Sequence, residues 1–387
     1  MSRKVLGKRI FFIVSLFIIA GILSILFVRA SDQPEGEKHS GKDQEQHEDW
    51  EEFVMEEEYN AGQSIIEHIL DSHEWHIIDY KGADGKQHHV SIPLPIILYH
   101  EGKLYAFWSS KLQHGSYEGF SIAHEGKNKG KIICDNKHSN KNTEVSTLPI
   151  DLSITKNVLA IFISGFILCI IFITIARTYK KRKSEAPKGL QSLLEPIILF
   201  IRDNIARSSI GEEKYERYMP YLLTLFFFIL FSNLFGLFPF FPGGANVTGN
   251  IAVTGVMAVF TFLITCFSGN RNYWQHIINS PSVPWWMKFP LPLMPIIELL
   301  GTLTKPFVLM VRLFANMIAG HIVILGFISL IFIFGNINIY LGYGVSVLSI
   351  FFVIFISLLE ILLAFIQAYI FTLLSALYFG MATEEHD

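Results

Sequence analysis

The sequence predicts an all-α polytopic membrane protein, with about five transmembrane helices after a signal peptide. The last two are long and steeply inclined, and a small extracytoplasmic N-terminal insert of mixed structure precedes the membrane part. Three observations predict this. Of the 387 residues, 51% are hydrophobic, and the mean hydropathy is +0.40. Only 17% are charged, and these gather in blocks that leave apolar runs of membrane-crossing length between them. The chain also opens on a basic segment joined at once to an apolar run. It divides into a signal peptide or N-terminal anchor (1–30), an extracytoplasmic acidic, His-rich region (31–155) and a membrane domain (156–387). The net charge of −3 averages over unlike regions, and no nucleic-acid partner is expected. Cys134, Cys169 and Cys266 lie too far apart to build a disulfide framework or a thiolate metal site.

Arg3, Lys4, Lys8 and Arg9 precede an apolar run from Ile10 to Val28, which closes on a small residue, Ala30, before a polar stretch. That order is the order of a secretory signal; the run is long for one, so an uncleaved anchor is the alternative. Either reading sends the residues after Ala30 across the membrane. Residues 31–75 hold fifteen Asp or Glu against two Lys, and the stretch from Ser31 to Glu58 has too little to bury to fold. From about Ala61 the spacing of Ile65, Ile66, Ile69 and Leu70 is helical. Farther on, Ile96–Tyr99 and Leu104–Trp108 flank His100–Lys103, a hairpin with glycine at its turn. Eleven of the fourteen histidines fall between residues 39 and 138. His73-Glu-Trp-His76 is not the zinc-protease spacing, and His88, His89, His100, His114 and His124 have no ligand spacing, so solvated histidines are expected.

Val158 to Ala176 is the first span of the membrane domain, and the basic cluster Arg177–Lys183 marks its cytoplasmic end. From Leu190 to Ile205 the apolar residues recur at helical spacing among charges, which predicts an amphipathic helix on the cytoplasmic surface. Met219 to about Phe241 crosses again, and Ile251 to Phe267 returns to a loop carrying Arg271 and Lys288. The runs Pro292–Phe334 and Val345–Met381 each exceed the ~20 residues that span a bilayer. At about 1.5 Å per residue the second would be about 55 Å long against a hydrocarbon core near 30 Å, so the two are either broken or steeply inclined. A turn over Gly335–Gly344 joins them. With a cytoplasmic start, every short loop rich in Lys or Arg falls on the cytoplasmic side, which supports six crossings, or five after signal removal.

One stretch of the first long run sets the function. Lys305-Pro-Phe-Val-Leu-Met-Val-Arg312-Leu-Phe-Ala-Asn316 and on to His321 is apolar enough for a bilayer yet carries a guanidinium near its middle. Placing Arg at the centre of a membrane helix costs about 2.5–3.5 kcal/mol on insertion scales. Arg cannot escape by losing its proton, and the flanking runs are too long for it to snorkel to an interface. On an ideal helix Glu298, Lys305, Arg312 and Asn316 share one stripe, and His321 points to the opposite face. Ser357, Glu360 and Gln367 share a face of the last run. If the two runs pair antiparallel about a turn near Tyr340, Arg312 lies level with Gln367, and His321 with Glu360. A His and a Glu buried together can pass a proton near neutral pH. With Glu298 on the inner side, the groups make two half-paths that do not meet, with the fixed charge of Arg312 between them. Such a plan needs a moving partner that carries an acid past the Arg.

Lys305-Pro, Arg312-Leu-Phe-Ala-Asn316-Met-x-Ala-Gly-His321, Glu360 and Gln367-Ala-Tyr-Ile-Phe together resemble subunit a of the F-type ATP synthase, over about residues 155–382. The resemblance implies the stator of a proton channel in a bacterial inner membrane. A ring of c subunits, each with a membrane carboxylate, turns past the long helices. The b-subunit peripheral stalk and the remainder of the synthase would be further partners. It also implies that Arg312 is the essential residue for proton translocation. Asn316, His321, Glu360 and Gln367 would line or support the periplasmic half-channel, and Glu298 would belong to the cytoplasmic one. In many bacterial members the acid and the His occupy each other's positions; here the pair is kept and its order swapped. Residues 31–155 would be periplasmic and the C-terminus cytoplasmic. The resemblance explains nothing about the exported insert. No cofactor or metal is expected, and no phosphate-cradling glycine loop suited to ATP chemistry is present. Two rival readings are a free-standing secondary transporter and a membrane-anchored metal binder built on the His-rich region.

Overall fold

A computed structural model describes residues 71–81, 87–112, 115–123, 130–134, 148–181, 186–238, 243–279 and 293–384, together with positions 62 and 65. The signal-type run, the acidic stretch and Lys288 lie outside the described residues. Of the helix expected from Ala61, only Gly62 and Ile65 are described, and both are helical.

The insert is a set of small antiparallel sheets. Strands β1 (Glu74–Lys81) and β2 (Gln87–Pro93) pair with each other. Strand β3 (Pro95–His100) lies between β4 (Lys103–Trp108) and β7 (Ile150–Asp151), while β5 (Phe120–Ile122) pairs with β6 (Ile132–Cys134). The expected hairpin is β3–β4, and its two-residue turn puts Glu101 and Gly102 at φ 48° and 81°. Two positive φ values in a row define the turn whose twist matches the flanking strands, which is why a glycine stands there. Ile96, Leu98, Phe107, Leu112, Phe120, Ile132 and Cys134 form the core between the sheets.

Among the described residues, five helices are long and apolar enough to cross a membrane. They are α1 (Lys156–Lys181), α4 (Tyr215–Leu237), α5 (Ile251–Ser268), α7 (Leu293–Ile337) and α8 (Ile339–Thr383). Between α1 and α4 the chain forms α2 (Leu190–Phe200), a π-helical segment (Ile201–Arg207) and the single turn α3 (Ser208–Ile210). The expected amphipathic stripe is partly realised: Leu194, Ile201, Ile205 and Ile210 are buried, but Leu190 and Leu193 are exposed. Asp203 sits on the outer side of the π-helical segment in ion pairs with Arg202 and Arg207. Residues 271–279, expected as loop, form helix α6 (Arg271–Asn279). The second span also starts earlier than the apolar run, at Tyr215, and ends at Leu237.

The insert is fastened to the membrane part. The Asp71 carboxylate accepts the Asn157 amide at 3.0 Å and the Thr155 hydroxyl at 2.7 Å, and the Lys156 amide donates to the Ser72 carbonyl at 2.9 Å. A carboxylate at a helix N-terminus satisfies free amides and opposes the positive end of the dipole. Trp75 is buried in the same apolar cluster as Ala160 and Ile161 of α1. His73 Nε2 meets Asp151 Oδ2 at 2.7 Å, joining the chain before β1 to β7. His73 is thus not solvated as expected, and neither is His100, whose ring packs edge-on against Phe120. Burial works against the His73 imidazolium, but the hydrogen bond and charge of Asp151, with Asp71 and Glu74 nearby, outweigh it and raise its pKa. Burial also works against the Asp151 carboxylate, but the bonds from His73 and Ser153 outweigh that and lower its pKa.

The long helices are both unbroken, 45 residues each, which removes the first of the two expected alternatives. The turn is tighter than the expected Gly335–Gly344 loop. Asn338 alone leaves the helical conformation, at φ −157° and ψ 128°, and its side chain accepts the Tyr340 amide at 2.9 Å. Glycine is needed at the closure: a Cβ on Gly342 would stand 2.7 Å from Gly335 Cα. Phe327 stacks on Phe352 with centroids 5.2 Å apart, and Gly320 lies against Glu360, pairs centred on the expected turn near Tyr340. Helix α4 is the hub, with Leu222, Phe226, Phe227 and Ile229 fully enclosed. In its most apolar window 67% of residues are buried, against 11% and 17% in α7 and α8. The hairpin therefore presents a broad unpartnered apolar face.

Two outcomes are expected. A Cβ on Gly380 of α8 would collide with the Ser209 carbonyl oxygen, a backbone atom that no rotamer can move. Gly380→Val should cost about 1–3 kcal/mol and lower the Tm of the detergent-solubilised protein; an unchanged Tm would refute the contact. For the His73–Asp151 pair, the raised imidazole contributes fully below its unfolded pKa of about 6.5 and is lost as pH rises through its folded value. The lowered carboxylate contributes fully above about 3.9 and is lost as pH falls through its own. Hydrogen-exchange protection at the Lys156 amide, corrected for intrinsic rate, should be greatest between about pH 4 and 6.5. Protection that ignores pH would show that the pair does not fasten the insert.

Candidate functional site

Helix α7 has two unlike sides. Leu309, Leu313 and Met317 are buried against its neighbours, whereas Phe307, Val308, Val311, Arg312, Ala315, Asn316 and Ala319 are exposed. The guanidinium thus stands on an outward apolar face, one helical turn from Asn316 and beside alanines that leave room for close approach. Among the described residues no carboxylate forms an ion pair with Arg312. A face of this kind in hydrocarbon demands an anion from outside the chain.

Toward the Asn338 end lies a polar cluster. His321 Nδ1 meets its own helix at the Met317 carbonyl, 3.0 Å away, and Nε2 meets the Gly236 carbonyl of α4 at 3.2 Å. The ring packs closely on Gly236, where a Cβ would lie 3.7 Å from it, an ordinary van der Waals contact. Glu360 is buried and rests against Gly320, whose missing Cβ makes space for the carboxyl group. His321 and Glu360 are level with each other, as expected, but they do not form an ion pair among the described residues; each is held by a different neighbour. Nearby on α4 are Ser232 and Asn233, and Asn233 Oδ1 accepts the Thr248 hydroxyl of the α4–α5 loop. Asn250 caps α5 by accepting the Ala252 amide at 3.0 Å. The side chains of Ser232, Asn233, Asn246 and Glu360 each keep a buried polar atom with no protein partner.

Toward the other end lies a second cluster. Thr302 donates to the Glu298 carbonyl at 3.0 Å, and Lys305 Nζ sits over the Tyr378 ring, 5.5 Å from its centroid. Thr302, Lys305, Tyr273 and Tyr378 surround a cavity of about 10 Å³, room for about one water. Glu298 is half-buried beside it. Between the clusters the packed interior of the hairpin is apolar: Leu309, Leu313, Ala364, Ala368 and Phe371 are all buried. Gln367 is buried at this middle level, and Arg312 lies on the outside of it.

The residues picked from sequence therefore fall into three places. His321 and Glu360 lie in one cluster, Glu298 lies by the other, and Arg312, Asn316 and Gln367 stand between. Sequence reasoning missed Asn233, Asn246, Thr248 and Asn157. A signal for Asn233 existed, because Ser232-Asn233 interrupts an otherwise apolar membrane run. The others sit in a loop or at a helix start, where polar residues are ordinary.

Fold and site together define a polytopic membrane protein with a guanidinium on an outward apolar face and two separated polar clusters. A family model described as ATP synthase A chain matches residues 158–380, and one described as a domain of unknown function (DUF8433) matches residues 64–152. The chain belongs to the ATP synthase subunit a family. It is 46% identical over 243 residues to ATP synthase subunit a of Chloroherpeton thalassium, covering 61% of this chain and 68% of that protein. It is 45% identical over 244 residues to ATP synthase subunit a 2 of Chlorobaculum tepidum, covering 61% of this chain and 65% of that one. With ATP synthase subunit a of Anaeromyxobacter dehalogenans it shares 37% identity over 298 residues, 74% of each.

Proposed function

We propose that the chain is the proton-translocating stator subunit of an F-type ATP synthase and works against a rotating ring of c subunits. In the direction of synthesis a proton arrives through the His321–Glu360 cluster and neutralises a ring carboxylate. After nearly a full turn that carboxylate releases its proton past Glu298. Arg312 stabilises the ionised carboxylate as it passes and keeps protons from crossing directly. The chain itself performs no ATP chemistry. The synthase, including its peripheral stalk of b subunits, supplies that.

The observation that carries this reading is Arg312 on an outward apolar face, paired with no carboxylate among the described residues of its own chain. The apolar layer of Leu309, Leu313, Ala364 and Ala368 supports two offset half-paths, because it separates the polar clusters within the hairpin. Helices of 45 residues are about 67 Å long, more than twice the hydrocarbon core. An unbroken helix of that length fits a bilayer only when steeply inclined, and this would lay both helices along the flank of a ring. On this reading the Asn338 turn, residues 31–155 and the His321–Glu360 cluster face the periplasm, and the C-terminus faces the cytoplasm of a bacterial inner membrane.

Arg312→Ala should abolish coupled proton transport in the assembled complex, read as ATP-driven acidification of vesicles. Normal pumping by that variant would overturn the assignment. Glu360→Gln should slow proton uptake far more than Ser357→Ala, which lies on the same face one turn away. Equal effects would remove Glu360 from the inlet.

A further inference from the structure

The insert and the membrane helices enclose a cavity of about 480 Å³. Asp71, His73, Lys131 and Asp151 line it from the insert, Asn157, Val158 and Ile161 from α1, and Asn250 and Val253 from the start of α5. At about 30 Å³ per water it has room for more than ten. Its floor sets Asn157 and Asn250 among the apolar Val158, Ile161 and Val253; Asn157 is buried, and its side-chain oxygen has no protein partner. Asn250 leads from the cavity into the loop that carries Thr248 and Asn246. That loop leads to Asn233 and Ser232 of α4, and α4 ends on the carbonyl of Gly236 that holds His321. Four residues along this line, Asn157, Asn246, Asn233 and Ser232, keep buried polar atoms with no protein partner. Buried polar atoms of this kind are satisfied by water, which needs two to four polar partners and finds them here. The Lys156 ammonium stands within electrostatic reach of both Asp71 and His321, which places the cavity close to the His321 cluster.

We propose that this cavity is the water-filled antechamber of the outer proton path, so that Asp71, His73, Lys131 and Asp151 of the insert stand at its mouth and the His73–Asp151 pair collects protons at its wall. The inference rests on the reading given under Proposed function. It assigns a use to the region that matches the family of unknown function. A lone channel mouth at a membrane surface draws protons from bulk water, where they are scarce at neutral pH. A walled cavity with an imidazole and a carboxylate 2.7 Å apart holds a proton in reserve next to the path. The charged groups that face His73 are Asp71, Glu74 and Asp151; Lys131 also lines the cavity, and Lys156 stands near Asp71. The surplus of carboxylates keeps the imidazole protonated above its ordinary range. Asn157 and Asn250 then pass protons inward through water, donating and accepting without a charge of their own.

The test uses the assembled complex in sealed membranes, treated from the extracytoplasmic side with a charged, membrane-impermeant methanethiosulfonate. Asn157→Cys should react, and the bulky adduct should remove most of the passive proton flow through the membrane sector. Val158→Cys, beside it on the same wall, serves if the first variant fails to assemble. His73→Gln keeps a hydrogen bond to Asp151 but cannot titrate, and without the reserve it should steepen the fall in uptake rate that rising external pH causes in the unaltered complex. A purely structural pair would lower the amount of complex and leave that pH profile in place. If neither cysteine reacts, or if both react with flow and pH profile unchanged, the antechamber is overturned. Loss of transport in Arg312→Ala alongside that result would leave the stator reading standing, whereas normal transport in Arg312→Ala would sink both.

Discussion

A positive charge that cannot be discharged, set on the outside of an apolar helix, is the constraint around which this molecule is arranged. Arg312 faces away from its own fold, and no described carboxylate of the chain pairs with it. Beside it, alanines at 315 and 319 lower the profile of the helix, and Asn316 adds a neutral polar group one turn away. Behind it the helix is sealed by Leu309, Leu313 and Met317. A guanidinium offered to lipid would be strongly unfavourable, while one offered to a carboxylate in a dry interface gains a charge-assisted pair.

The two polar clusters take their meaning from that seal. Water and protons move along hydrogen-bonding groups, and at the level of Ala364 and Ala368 the interior of the α7–α8 hairpin is mostly apolar, with Gln367 buried among apolar side chains. The outer cluster is built from four elements rather than from one pair: Glu360 of α8 sits on Gly320 of α7, and His321 of α7 sits on Gly236 of α4. Gly320 thus makes the seat for Glu360, and the backbone carbonyl of Gly236 holds His321. Thr248 of the loop completes the cluster through Asn233. Such a construction lets each titratable group keep its own neighbours.

Much of this was legible in the sequence. The turning away of His321 and the depth pairing of the long helices follow from helical geometry, whereas the expected single stripe divides, with Lys305 turned to the Tyr378 ring and Arg312 and Asn316 outward. The hairpin centre was found from the same geometry. What escaped was whatever depends on contact between distant segments. The Asn338 turn is tight because Gly342 lets the backbones meet at Gly335, and helical periodicity says nothing of that meeting. Residues 271–279 were expected as loop because their polar sequence looks like punctuation, yet they form a helix packed beside α7. The histidines of the insert looked solvated because their partners are remote; His73 finds Asp151 seventy-eight positions away. His321 and Glu360 were expected to lie together and pass a proton, and that His321 instead bonds the Gly236 carbonyl while Glu360 rests on Gly320 depends on contacts between helices that the sequence does not mark.

The central claim is that the Arg312 face of α7 lies against a carboxylate-bearing ring rather than against lipid. Disulfide trapping reads this directly. Asn316→Cys, exposed one turn from Arg312, would be paired with cysteines placed one turn either side of the ring carboxylate. The account predicts a cross-link between the chain and the ring subunit that forms in the resting complex and stops rotation until it is reduced. Failure of every such pair to cross-link, with the same cysteine reacting readily with a lipid-soluble probe, would contradict it.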